Sequence, residues 1–146
     1  MRITIKHIPY KPEHAKEILR YGANGFCIND EQQIDFFAKL KLKGEAYTAV
    51  CNDRIVACGG WEAVAEGVVQ AWFLCVDDID PMMVKDSKRK FLDMVKGFYR
   101  VQAPLREDFP LGEKFAKFIG FRFEKRIPQF YQDGTDALMY VLKGDI

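Results

Sequence analysis

The sequence predicts an α/β domain, and three observations predict it. Arg2 to Ile8 alternates with a period of two, placing Ile3, Ile5 and His7 on one face and Arg2, Thr4 and Lys6 on the other. Three strand-like runs, Ala46–Cys51, Arg54–Glu62 and Val68–Val76, follow one another across short turns. Helical stripes flank that block, with Ala15, Ile18 and Leu19 before it and Phe91, Met94, Val95 and Phe98 after it.

Each element has its own local signal. Pro12 opens the first helix where its missing N–H does no harm, and the Gly22–Gly25 region ends it. Asn29-Asp30, with Gln33 three residues beyond Asp30, starts a second helix whose apolar side holds Ile34, Phe37 and Leu40, and Gly44 stops it. Asn52-Asp53 makes a tight turn between the first two strands of the meander. The run from Val68 to Val76 is nearly all apolar, which marks a central strand covered on both faces.

Asp77–Met83 reads as a loop, and a helix beginning near Lys85–Ser87 runs to about Tyr99. Arg100–Leu105 is a short strand, and Pro104 predicts that one of its sides is unpaired there. Pro110 opens the last helix, Phe115, Phe118 and Ile119 form its buried side, and Gly120 ends it. Phe121–Pro128 and Leu138–Lys143 are two closing strands. Residues 1–146 read as a single domain, without repeat, low-complexity tract or linker.

Composition restricts the function. The 22 basic and 21 acidic residues nearly cancel, which argues against broad nucleic-acid binding. Met1–Tyr10 lacks the continuous apolar stretch of a signal peptide, and no apolar run is long enough to span a membrane, so a cytoplasmic protein is expected. With two histidines and no CxxC pair, no metal site is expected. Cys51, Cys58 and Cys75 lie in apolar runs and read as reduced, buried thiols.

The order of elements resembles the GNAT-type N-acyltransferases over nearly the whole chain. Cys58-Gly59-Gly60 in the meander and Phe115-Ala116-Lys117-Phe118-Ile119-Gly120-Phe121 at the last helix carry local parts of that resemblance. It implies a mixed, mostly antiparallel sheet flanked by helices, with the fourth and fifth strands (Val68–Val76 and Arg100–Leu105) splayed apart. It implies acetyl-CoA as cosubstrate and an amine as acceptor. The pantetheine arm would add to a strand edge at Leu74, Cys75 and Val76, and the pyrophosphate would sit at the start of the following helix. Ser87-Lys88-Arg89-Lys90-Phe91, Phe118-Ile119-Gly120 and Val141-Leu142-Lys143-Gly144 also resemble a phage branch of the fold, which implies a virion-associated or host-takeover role, with virion proteins or a second copy of the chain as partners. A catalytically inactive structural or interaction protein is the alternative to an enzyme, motivated by a glycine-free loop before Phe91 and by Gln70, Ala116 and Phe109.

The chain departs from the family pattern where chemistry is needed. No glycine lies between Asp77 and Phe91, so the usual phosphate-binding loop is missing. Lys85, Ser87, Lys88 and Arg89 either hold phosphate with side chains or simply solvate a helix face. The family's base position falls on Gln70, its acid position on Ala116 and its frequent asparagine on Phe109. Glu62 as a base acting through water, and Tyr131 or Tyr99 as a proton donor, are the candidate substitutes, each with the alternative of ordinary surface or packing.

Overall fold

The computed structural model describes residues 4–20, 23–26, 34–35, 43–76 and 78–143. The elements bounded within the described residues are, in order, β1 (Ile5–Pro9), α1 (Pro12–Arg20), β2 (Ala23–Phe26), β3 (Gly44–Cys51), β4 (Arg54–Ala65), β5 (Val68–Val76), α2 (Pro81–Met94), β6 (Arg100–Arg106), α3 (Pro110–Ile119), β7 (Arg122–Ile127) and β8 (Ala137–Lys143). The strands form one sheet in the order β1-β3-β4-β5-β6-β8-β7, and β2 pairs separately with β5. All pairings are antiparallel except β5 with β6.

The meander forms as its turns dictate. Asn52 and Asp53 both take positive φ, which suits the twist of a two-residue hairpin. Gly60 is required by close approach: a Cβ there would stand 2.0 Å from the Glu45 carbonyl oxygen on β3. The apolar run Val68–Val76 is the central strand, with Val69, Ala71, Trp72, Leu74 and Val76 buried.

Residues alternate between the two faces of the sheet. On one face α1 buries Ala15 and Ile18, Tyr10 meets the Trp72 ring edge-on at 5.0 Å, and His14 Nδ1 lies 2.7 Å from Thr48 Oγ1. Ile34 is buried with this group, and Asp35 pairs with Lys16 at 2.9 Å. The rest of the second helix expected after Asn29 falls outside the described residues. On the other face lie α2 and α3, where Phe115 stacks on Phe73 and Phe91 meets Phe121. Cys51, Cys58 and Cys75 are free thiols; Cys58 is buried and the other two are half-buried.

Several element boundaries differ from those expected, and β4 runs on to Ala65, so that Glu62 lies within the strand rather than at its end. The helix α2 starts at Pro81, four residues before Lys85, because Asp80 supplies the N-cap and Pro81 the first turn. It ends at Met94 rather than Tyr99, because Gly97 turns to φ +94° and leads the chain away. Ala23–Phe26, expected only as the end of a helix, forms a strand.

Candidate active site

Strand β5 carries the site because its two ends have different neighbours. Its first residues pair in parallel with β6, through Val68↔Arg100, Val69↔Val101 and Gln70↔Gln102, and the pairing stops there. Beyond Gln102, β6 continues along β8 through Pro104 to Arg106. Pro104 has no N–H to offer β5, so the strands part where the sequence predicts an unpaired side. The result is a V-shaped opening whose base lies at Gln70 and Gln102.

The base is polar and held by side chains. Gln102 Nε2 donates to Gln70 Oε1 at 3.3 Å, and Arg100 Nε donates to Gln102 Oε1 at 3.0 Å. Arg100 also makes two 2.7 Å hydrogen bonds to Glu124 on β7, which raise its proton affinity. Glu62 on β4 stands directly opposite Gln70 in the register, and the two therefore share a face. Glu62 is half-buried, and burial pushes its carboxyl above the ordinary range.

Tyr10 belongs to the same neighbourhood. Burial, then the fields of Cys58, Glu13 and Glu62, push its phenol well above the usual tyrosine range, so it stays neutral. Sequence patterning gave no sign of Tyr10, because it lies between β1 and α1 and its role arises from packing on Trp72. Tyr131, the donor expected from sequence, lies further out along β6. Its hydroxyl donates to the Pro104 carbonyl at 3.3 Å, and its ring lies 4.8 Å from the Arg106 guanidinium carbon. Pro104 is two residues beyond Gln102, about 6.6 Å along the strand. Tyr99 is exposed, and Ala116 and Phe109 belong to packing: Ala116 is fully buried, and the Phe109 ring lies against Gly112, where a Cβ would meet it at 2.6 Å.

The tip of the opening is not bare. Ala23↔Val76, Asn24↔Cys75, Gly25↔Leu74 and Phe26↔Phe73 pair antiparallel, so β2 takes the edge at Leu74, Cys75 and Val76 that the sequence suggests is open. The physical reason is backbone satisfaction: unpaired N–H and C=O groups in the middle of a sheet are costly, and four residues of chain meet the need. As arranged, that edge has no place for an added pantetheine arm.

The neighbouring helix start is also occupied. Met82 N–H donates to the Asp80 carboxylate at 2.8 Å, and the Asp80 carbonyl accepts from Met83 and Val84. Because α2 begins at Pro81, Lys85, Ser87, Lys88 and Arg89 lie one to two turns into the helix, about 6–12 Å along its axis. Arg89 pairs with Asp86 at 2.8 Å, and Asp86 pairs with His7 at 2.8 Å. Lys88 lies 4.8 Å from the centre of the Phe118 ring, and Lys85 is exposed. Ser87 lines a cleft of about 40 Å³ with His7, Tyr47, Lys90 and Phe91. That volume suits a few waters, not a cofactor. Asp77, at the start of the expected loop, falls outside the described residues.

The architecture is shared with known enzymes. An IAA acetyltransferase from Bacillus cereus superposes with a TM-score of 0.73 at 12% identity, over 97% of this chain and 99% of that one. An acetyltransferase of the GNAT family from Streptococcus pneumoniae gives 0.70 at 10% identity, over 97% and 100%. The chain has the GNAT fold. The yncA protein of Salmonella typhimurium, solved with its cofactor acetyl-CoA, gives 0.68 at 12% identity, over 97% and 94%. In this fold's terms, β5 and β6 are the fourth and fifth strands, and their splay is present. No family model matches the chain, and no curated protein matches it in sequence. Among the described residues no helix is long and apolar enough to cross a membrane, and no cluster of His, Cys, Asp or Glu is placed to hold a metal ion.

Proposed function

We propose that the protein is a GNAT-type N-acyltransferase acting on an amine, with acetyl-CoA as acyl donor and Glu62 as the proton acceptor. The observation that carries this reading is Glu62 itself: a half-buried carboxyl of raised proton affinity, opposite Gln70, at the base of the β5–β6 splay. Gln70 cannot take a proton, and Glu62 on the adjacent strand offers the missing base to the same face. A protonated amine reaching this face gives up a proton to Glu62 through water and becomes nucleophilic. Tyr10 stays neutral beside it and keeps a hydrogen-bond donor available. Acetyl-CoA supplies the activated acyl group when bound, and its binding requires the β5 edge at Leu74–Val76. Lys85, Lys88 and Arg89 would serve its phosphates as cations along α2 rather than as a cradle at its N-terminus, with Arg89 turning from Asp86 and Lys88 from the Phe118 ring.

The test is amine-dependent release of free thiol from acetyl-CoA, followed across a panel of primary amines. Glu62→Gln should lower kcat about 100-fold or more while leaving acetyl-CoA affinity unchanged. A Glu62→Gln variant as active as the wild type would contradict the role of Glu62. Tyr131→Phe should retain most of the activity, because Tyr131 is engaged at Pro104.

A second reading is a GNAT-shaped protein without turnover that works through protein contacts. It is favoured by β2 on the β5 edge and by the Asp80 carboxylate at the start of α2. Its phage or virion form rests only on the Ser87–Phe91, Phe118–Gly120 and Val141–Gly144 segments.

A further inference from the structure

Strand β5 has two hydrogen-bonding edges, and both pair with other strands over most of its length. One edge pairs with β4 from Val68 to Cys75. The other pairs with β6 only from Val68 to Gln70, and with β2 from Phe73 to Val76. Since β4 holds the first edge, β2 lies on the β6 side, inside the V, where it also approaches β6 and α3. A pantetheine arm that pairs with this edge uses the same backbone N–H and C=O groups that β2 uses. The two occupants exclude each other.

We propose that β2 is a built-in competitor for acyl-CoA, an autoinhibitory strand that must leave the β5 edge before the donor can bind. The proposal rests on the acyltransferase reading above. Three features make the strand displaceable. It is short, at four residues. It has Gly25 within it, and an interior glycine weakens a strand. It follows α1, which is anchored independently through Ala15 and Ile18, so β2 can peel away while the helix stays in place. The donor's apparent affinity then depends on the fraction of molecules with β2 released: a docked fraction of about 99% weakens it about 100-fold.

The register supplies its own test. Asn24 lies opposite the native Cys75, at a spacing that cross-strand pairs and disulfides share. In Asn24→Cys, oxidation should lock β2 in place. Coenzyme A titrated by calorimetry should bind the reduced form and fail to bind the oxidised form, and dithiothreitol should restore binding. Asn24→Cys with Cys75→Ser should be insensitive to oxidation. The double variant Asn24→Pro/Gly25→Pro, which removes the strand's central donors, should bind coenzyme A at least about tenfold more tightly than the wild type.

Amide hydrogen exchange gives a readout that needs no ligand. The Phe73–Val76 amides that face β2 should be protected in the wild type and exchange faster in the double-proline variant. Rapid exchange in the wild type would show an open edge and overturn the proposal whatever binds. Equal binding of coenzyme A to the locked and reduced forms would overturn the competition and leave the acyltransferase reading standing. Protected amides together with no coenzyme A binding by the wild type, the reduced cysteine variant or the proline variant would overturn both.

Discussion

The two ends of β5 are built on different principles. At its base, position is fixed by side chains: Glu62 opposite Gln70, Gln70 bonded to Gln102, Gln102 to Arg100 and Arg100 to Glu124. At its tip, position is fixed by backbone, with β2 paired residue for residue to Phe73–Val76. A side-chain network is specific and hard to replace. A backbone edge accepts any partner with the right spacing of donors and acceptors, which is why the chain itself can stand where a cosubstrate would. The base therefore holds the candidate chemistry, and the tip is where the proposed competition between β2 and acyl-CoA would act.

The largest expected effect falls at the base. Glu62→Gln should lower kcat about 100-fold or more, measured as amine-dependent thiol release. The pH profile sharpens this. With Glu62 as the proposed base, kcat/KM should fall as pH drops through a pKa raised above the usual glutamate value of about 4.3, and Glu62→Gln should lack that limb. The stability sign runs the other way. A raised folded pKa means that the neutral acid is favoured on folding, so this contribution is present at low pH and lost as pH rises through the folded pKa.

Next in size is Gly60→Val, which disturbs the pairing of β4 with β3 beside Trp72 in the middle of β5. The new side chain would press on the Glu45 carbonyl and on Ala46, at a cost of about 1–3 kcal/mol visible as a lower Tm. At the tip, Asp80→Ala should cost about 1 kcal/mol through loss of the cap. Asp80→Asn keeps a capping oxygen, removes the negative charge and should tighten coenzyme A binding severalfold in calorimetry. The smallest effect is Arg100→Met: the pair with Glu124 is partly exposed, so at most about 1 kcal/mol is expected, but Gln102 and Gln70 lose their outer anchor and kcat should fall more than stability does.

Much of the fold was legible in local patterns. The unbroken apolar run Val68–Val76 marked the central strand, Asn52-Asp53 marked the hairpin, and Pro104 marked where β6 leaves β5. The site was legible only in part. Glu62 stood out as a carboxylate at a strand end, but its burial comes from the folded neighbourhood. Asp80-Pro81 is a helix start by its own chemistry, yet the cations from Lys85 onward drew the boundary downstream. Ala23–Phe26 had no period to read: Ala-Asn-Gly-Phe is too short to alternate and has a turn-like composition, and it becomes a strand only because β5 presents an unsatisfied edge. Tyr10 is invisible for the same kind of reason, since packing on Trp72 makes it a candidate rather than any local motif.

The most direct test of the account is a titration of the wild-type protein with acetyl-CoA, followed amide by amide in solution. Signals of Phe73–Val76 and of α2 at Lys85–Arg89 should shift together, Ala23–Phe26 should lose its protection from exchange, and Val68–Gln70 should keep its pairing with β6. Saturating acetyl-CoA that leaves Phe73–Val76 and Ala23–Phe26 unchanged would contradict it.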